Sequence, residues 1–266
     1  MNAVLEHPFN ETLRPSDSYT TTEREAEHRS EQPSTIFQTS TMSALLDGVF
    51  EGSMTMAELK QHGDFGIGTF NELDGELIAF DGDYYRLRSD SSVTPVKPED
   101  GTPFASVTFF QPVKTFRVNQ PMSRSQLEQL IDSLLPSLNL FYAIRIDGEF
   151  ECVVTRTVAK QKPPFRPFLE AIESQPTFTL EKKKGTVAAF RMPAFAQGIA
   201  VAGYHHHFVD DARTGGGHVL DLQLKSGIVQ IGKPSEVHMH FPETEAFMNA
   251  DLTSRDLDAE IAKAEG

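Results

Sequence analysis

Four of the chain's nine histidines crowd into residues 203–218, first as Gly203-Tyr-His-His-His-Phe208 and then as Gly215-Gly-Gly-His218. Neutral imidazole is the commonest side-chain ligand for metal ions, and the spacing decides which of the four can meet. The run Gly198-Ile-Ala-Val-Ala-Gly203 before the cluster reads as a buried strand. His218-Val-Leu-Asp-Leu-Gln-Leu224 after it alternates apolar and polar residues with the strand period of two. Side chains at i and i+2 of a strand share a face. His205 and His207 therefore point one way, and His206 points the other, either behind the ligands or into solvent. Val209–Gly217 is turn chemistry, and folding back there brings His218 opposite the first strand, near His207. Three neutral imidazoles converging from two paired strands suit zinc and leave a coordination position open for water or substrate. His238 and His240 repeat the i, i+2 spacing, as a second metal pair or as ordinary strand histidines with no third ligand close in sequence. His62, His7 and His28 carry no spacing signal.

The elements that must position these residues are mostly strands. Residues 1–34 are polar and rich in Glu, Ser, Thr and Pro, the composition of a disordered leader. Order is expected from Ile36 onward. A short helix closes at Gly48, and Thr55-Met-Ala-Glu58 is a capping box that opens another. Strands follow at Ile67–Phe70, Gly75–Phe80, Asp83–Leu87 and Ala105–Gln111. Ser123–Leu135 is an amphipathic helix with Leu127, Leu130, Ile131, Leu134 and Leu135 on one stripe. Phe141–Ile146 and Glu149–Val158 suggest a hairpin across Asp147-Gly148. Phe178–Leu180 and Gly185–Arg191 suggest another. His218–Leu224, Gly227–Ile231 and Glu236–Phe241 read as separate strands, and Ser254–Ala264 as a last helix. The fold class is α+β, strand-dominated with short helices. The chain divides into the leader, a mixed-sheet lobe over 35–162 and a lobe over 163–266 that carries the metal hairpin, with the break at Pro163-Pro164. Helices do not alternate with strands, which disfavours a doubly wound nucleotide fold.

Composition narrows the partners. Lys+Arg 24 against Asp+Glu 38 gives a net charge of −14, which argues against nucleic acid. It also means that an anionic substrate needs a local cation in its pocket. The single cysteine, Cys152, excludes an intrachain disulfide and a thiolate metal cage. No apolar stretch approaches the ~20 residues of a membrane span, and no basic segment followed by an apolar core opens the chain. These features point to a cytoplasmic protein.

Five separated segments, in order, closely resemble the α-acetolactate decarboxylase family. They are Gln38-Thr-Ser-Thr-Met-Ser-Ala-Leu-Leu46, Gly63-Asp-Phe-Gly-Ile-Gly-Thr-Phe-Asn71, Leu73-Asp-Gly-Glu-Leu-Ile-Ala-Phe-Asp81, Arg156-Thr-Val158, and the histidine segment itself. The resemblance covers the chain from about Gln38 onward. It implies two related mixed-sheet lobes, a homodimer, and a zinc-dependent lyase that converts 2-acetolactate to (R)-acetoin and carbon dioxide through a metal-stabilised enediolate. It places the metal ligands on His205, His207 and His218, a conserved family glutamate on Glu76, and an active-site arginine on Arg156. A pocket threonine falls on Thr69 and a metal-proximal carboxylate on Glu265, with Glu260 the nearby competitor. The forked donors of Arg156 suit a planar anion, and Glu76 is the candidate for proton transfer. Two other readings of the same histidines stay open on spacing alone. One is a cupin-like metal dioxygenase, in which Asp210 or Asp211 would stand where that pattern has a glutamate. The other is a non-catalytic metal- or small-molecule-binding module.

Overall fold

The computed structural model describes residues 19–21, 34–173, 175–253 and 256–265. The leader expected over 1–34 thus lies outside the described residues except Tyr19–Thr21 and Ser34, as does the expected helix start at Ser254. The fold is mostly β, with two main sheets and short helices.

The first sheet runs in the order Tyr19–Thr21, Pro112–Val118, Gly216–Gly232, Tyr142–Arg156, Thr177–Met192, Gly203–Asp210, with Met122–Ser123 paired beside Gly216–Gly232. Every pairing in it is antiparallel. Gly203–Asp210 pairs with Thr177–Met192 on one side and returns to Gly216–Gly232 on the other, so four long strands close on themselves. The second sheet runs Glu236–His240, Thr35–Thr39, Ala105–Thr108, Phe65–Thr69, Glu76–Phe80, Asp83–Leu87, Val93–Pro95. Only its first pair is parallel, which makes this sheet mixed. Both sheets draw strands from either side of Pro163-Pro164.

Three of the expected strand breaks are absent. Tyr142–Arg156, Thr177–Met192 and Gly216–Gly232 are each continuous. Asp147-Gly148 looks like hairpin chemistry, yet Gly148 sits mid-sheet between Gly185 and Gly227. A Cβ there would lie 2.5 Å from the Ser226 carbonyl oxygen. The glycine serves close backbone approach, not a turn. The same misreading split Ser226-Gly227 and the stretch before Gly185. Gly198–Gly203, expected as a strand, is a loop bounded by two left-handed glycines, and the strand starts only at Gly203.

The capping boxes at Thr55 and Ser123 form as their sequences require. Each hydroxyl accepts the N–H three residues on, and Glu58 or Gln126 reaches back to the cap N–H. The helix Arg124–Leu134 buries Leu127 and Ile131 against Ile144, Ile146, Phe150, Phe208 and Leu222 of the first sheet. A second core lies between the sheets, where Ile67, Ile78 and Leu87 meet Ala143, Ala188, Phe190 and Val209. The helices Met42–Leu46, Phe168–Ala171 and Leu257–Glu265 pack together at one end through Leu45, Phe168, Ile261 and Ala264. No helix among the described residues is long and apolar enough to cross a membrane.

Phe150 is fully buried and meets Phe208 edge-on at 5.2 Å between centroids. Phe150→Ala should cost about 3–5 kcal/mol of stability, measured as a drop in the denaturation midpoint with an unchanged slope. A cost below about 1 kcal/mol would show that this face of the long strands is not a packed core.

Candidate active site

The hairpin Gly203–Asp210/Gly216–Gly232 sets the site by register. His207 stands directly opposite His218, and Arg156 on the neighbouring long strand stands opposite His218 on its other side. His205 reaches the same face as His207 by strand alternation. The Nε2 atoms of His205 and His207 are 3.2 Å apart, and Nδ1 of His218 is 3.2 Å from Nε2 of His205. Among the described residues, this is the group of three potential ligands whose donor atoms gather closely enough to hold one ion.

Those separations fit a metal. Nitrogens bound tetrahedrally at about 2.0–2.1 Å from one zinc ion stand roughly 3.3 Å from each other. Three lone pairs aimed at one point need either a shared proton or a cation between them. Burial decides which. It drives the His205 imidazole down to about 3, with the Arg156 charge adding to the effect, and it holds His207 well below its ordinary value, helped by His205. The rings are therefore neutral near pH 7, the form that binds metal. His207 is also fixed in tautomer. Its Nδ1 lies 2.7 Å from the Leu77 carbonyl oxygen, and a carbonyl can only accept. Nδ1 carries the hydrogen and Nε2 presents its lone pair to the centre.

The turn that brings the strands together depends on Asp210, a residue of the expected turn that the dioxygenase alternative would make a ligand. Asp210 is almost fully buried. Its Oδ1 accepts the Thr214 N–H at 2.7 Å, and its Oδ2 accepts the Thr214 hydroxyl at 2.7 Å and the Lys183 ammonium at 2.9 Å. Burial opposes its ionisation, but these donors outweigh burial and hold the carboxyl below the usual carboxylate range. Both oxygens are committed to the turn. Asp210 therefore organises the hairpin and is not a fourth ligand.

His206 faces away from the three converging rings, as alternation requires, but not into solvent. It is 4 % exposed, stacks on Tyr204 at 5.4 Å, and lies 3.9 Å from Glu128 on the helix Arg124–Leu134. Burial, then the Arg124 charge, pulls it down to about 3. The helix covers this outer face, which the hairpin pattern alone could not show.

The second sheet supplies the other wall. Thr69 pairs across the sheet with Glu76, and the Glu76 carboxylate reaches to 3.7 Å from Nε2 of His207. The turn that places Glu76 is sharply bent. Glu72 and Leu73 lie in the left-handed region, and so does Gly75, where a Cβ would stand 2.5 Å from the Leu87 carbonyl oxygen. Two devices hold this turn. The Thr69 hydroxyl donates to the Gly75 carbonyl at 2.9 Å. Asp74 receives Arg86 at 2.8 Å and Arg88 at 3.2 Å, while Arg86 also pairs with Asp100 at 2.7 Å and lies over the Phe70 ring. Thr69 thus acts on the turn through its hydroxyl. Arg86 is a buried support that no spacing pattern announced.

One cavity unites these parts. Thr69, Glu76, Arg156, His205 and His218 line it, with apolar walls from Met42, Leu45, Phe104, Val158 and Phe168. Gln175 also lines it, and its buried Oε1 has no hydrogen-bond partner among the described residues. Sequence reasoning missed Gln175, because a single glutamine in a loop carries no period or spacing. Ala264 closes the cavity from the last helix. Glu265 is the next residue of that helix, and its side chain lies outside the described residues.

Residues 36–254 match the family described as Alpha-acetolactate decarboxylase. The chain is 50% identical over 237 residues to the Alpha-acetolactate decarboxylase of Bacillus subtilis (strain 168), covering 89% of this chain and 93% of that one. It is 50% identical over 232 residues to the protein of the same name from Klebsiella aerogenes, covering 87% and 89%. The crystal structure of alpha-acetolactate decarboxylase from Bacillus subtilis strain 168 superposes with a TM-score of 0.86 at 50% identity, over 87% of this chain and 99% of that chain.

The opposed faces of the histidine strand give a direct test. Alanine at His205, His207 or His218 should abolish stoichiometric metal, measured by elemental analysis of purified protein. His206→Ala should keep the metal and instead lose about 1–3 kcal/mol of stability, since it opens a buried polar contact under the helix. Equal metal loss in all four variants would contradict the assignment of faces.

Proposed function

The chain belongs to the alpha-acetolactate decarboxylase family, and from that premise we propose that it converts 2-acetolactate to (R)-acetoin and carbon dioxide with zinc held by His205, His207 and His218. The observation that carries this reading is the convergence of three imidazole nitrogens, 3.2 Å from one to the next, beside a cavity that Arg156 and Glu76 line. The donor set favours zinc. It is all imidazole, has no thiolate, and leaves a fourth position open. When bound, the ion supplies a Lewis acid beside the substrate's ketone and hydroxyl oxygens.

The side chains divide the remaining work. Arg156 offers its fork to the substrate carboxylate, the cation that an acidic chain must supply locally to hold an anion. The C–C bond to that carboxylate breaks, and carbon dioxide leaves as a neutral molecule suited to the apolar walls of Met42, Leu45, Phe104, Val158 and Phe168. The electron pair passes to the adjacent ketone oxygen. Glu76, 3.7 Å from His207 on the opposite sheet, delivers a proton to the carbon from one face, which sets the configuration of the product. Solvent returns that proton to Glu76. Gln175 lines the cavity and carries an acceptor without a partner among the described residues, which suits the one hydroxyl donor of acetolactate. Glu265 is a second carboxylate for the metal end of the cavity, supported by the place of Ala264 in its lining. The same reading takes the protein to be a cytoplasmic homodimer. The family resemblance supports the dimer, and the single cysteine supports the location.

Zinc-loaded protein incubated with racemic acetolactate should release acetoin and carbon dioxide in equal amounts, and failure to release either overturns the activity. Glu76→Gln keeps the shape of the side chain and removes its proton. It should bind metal normally while kcat falls by ~10²–10⁴. Near-normal turnover in this variant would remove Glu76 as the proton donor and leave Glu265 to be tested.

A further inference from the structure

The strand that carries Glu76 is tied to the first sheet at two places, and only one of them lies at the site. Strand alternation puts Glu76, Ile78 and Phe80 on the face turned toward the first sheet. At the near end, His207 bonds the Leu77 carbonyl. At the far end, buried Phe80 meets two arginines of the first sheet. Arg213, in the turn of the histidine hairpin, brings its guanidinium carbon to 5.1 Å from the Phe80 ring centroid and 4.7 Å from that of Tyr85 on the adjoining strand Asp83–Leu87. Arg145, on the long strand Tyr142–Arg156, lies 5.5 Å from the same Phe80 ring and donates to Asp81 at 2.6 Å. All three separations are in the range of cation–π attraction. Arg213 also donates through Nη1 to the Asp210 carbonyl at 2.8 Å, so this contact is joined to the residue that organises the turn. The turn itself does not call for an arginine. Arg213 has a φ of 57°, in the left-handed region that glycine and asparagine adopt more easily. What the side chain reaches accounts for its presence there.

We propose that Arg213 is a positioning residue for the reaction. It clamps the far end of Glu76–Phe80 to the histidine hairpin, beside Arg145, and so sets where the Glu76 carboxylate stands against the triad. His207 to Asp210 and Leu77 to Phe80 are three residues each, about 10 Å of strand. A hydrogen bond at Leu77 alone fixes one point and lets the strand pivot about it. The arginines fix a second point. Ile78 and Val209 pack between the two, but apolar burial is non-directional and does not by itself set an angle. Glu76 lies on the other side of Leu77 from the clamp, so a pivot at Leu77 moves the carboxylate. The proposal rests on Glu76 being the proton donor for decarboxylation.

Arg213→Asn tests this, because asparagine suits the backbone of the turn and lacks the guanidinium. In crystals of the full-length variant, the Glu76 carboxylate should stand farther from Nε2 of His207 than 3.7 Å, with the three histidine nitrogens still gathered. In turnover, kcat should fall about 10–10²-fold with KM and bound metal little changed. The acetoin should also lose enantiomeric purity, which a smaller folded fraction would not cause. Arg213→Lys keeps a cation over the rings and should recover much of the rate. Adding Arg213→Asn to Glu76→Gln should cost nothing further, because Arg213 acts through Glu76. An unmoved carboxylate, or a full additional loss in the double variant, would overturn the proposal. No acetoin from the unmodified protein, or near-normal turnover by Glu76→Gln, would strike the reading of Glu76 and the proposal with it. Normal kcat in Arg213→Asn beside a slow Glu76→Gln would strike the proposal alone.

Discussion

One hydrogen bond joins the two sheets where the chemistry is assembled. Nδ1–H of His207, on the hairpin of the first sheet, donates to the Leu77 carbonyl oxygen of the second at 2.7 Å. The bond selects the His207 tautomer and turns Nε2 toward the other two imidazoles. It also fixes the distance between the triad and the strand that begins at Glu76. A buried N–H left without an acceptor is costly, so the bond resists separation of the sheets as well as rotation of the ring. The inter-sheet core of Ile67, Ile78, Ala188 and Val209 packs around it. The Asp74–Arg86–Asp100 network holds the Glu76 turn from the far side.

The electrostatics follow from the same burial. An acidic chain repels anions at a distance, yet this cavity is lined by one arginine and adjoins two imidazoles, His205 and His207, that burial holds toward their neutral form. Neutral rings cost little to bury and leave their lone pairs for a cation. Arg156 is 7 % exposed, and its charge in so enclosed a place is screened less than a surface charge would be. In the proposed reaction, a carboxylate entering there would meet a fixed cation and an apolar wall, a combination that would bind the anion and favour its release as a neutral gas.

Much of this was legible in the sequence because it rests on local rules. Strand alternation put His205 and His207 on one face, and the Gly-rich turn brought His218 opposite His207. The capping box at Thr55 named one helix start, and the apolar stripe from Leu127 to Leu135 named the helix that Ser123 opens. Glu76, Arg156 and Thr69 were legible only through resemblance, since a lone strand glutamate or arginine has no spacing that distinguishes it. What stayed hidden depends on partners distant in the chain. Gly148 and Gly227 resemble turn residues, but they serve close approach between long strands, which splits three strands in the reading and leaves them whole in the fold. His206 looked free because the helix that covers it begins some eighty residues earlier. The dioxygenase alternative kept Asp210 open as a ligand because sequence does not show that Thr214 and Lys183 occupy its oxygens. Gln175 enters the cavity from a loop, where no periodicity applies.

The arrangement of the triad against the second sheet can be measured directly by anomalous diffraction at the zinc edge from crystals of the zinc-loaded protein. One strong peak should lie about 2.0–2.1 Å from Nε2 of His205, Nε2 of His207 and Nδ1 of His218, with Nδ1 of His207 still on the Leu77 carbonyl. A tight zinc bound through His206, or through Nδ1 of His207 with the bond to Leu77 broken, would contradict it.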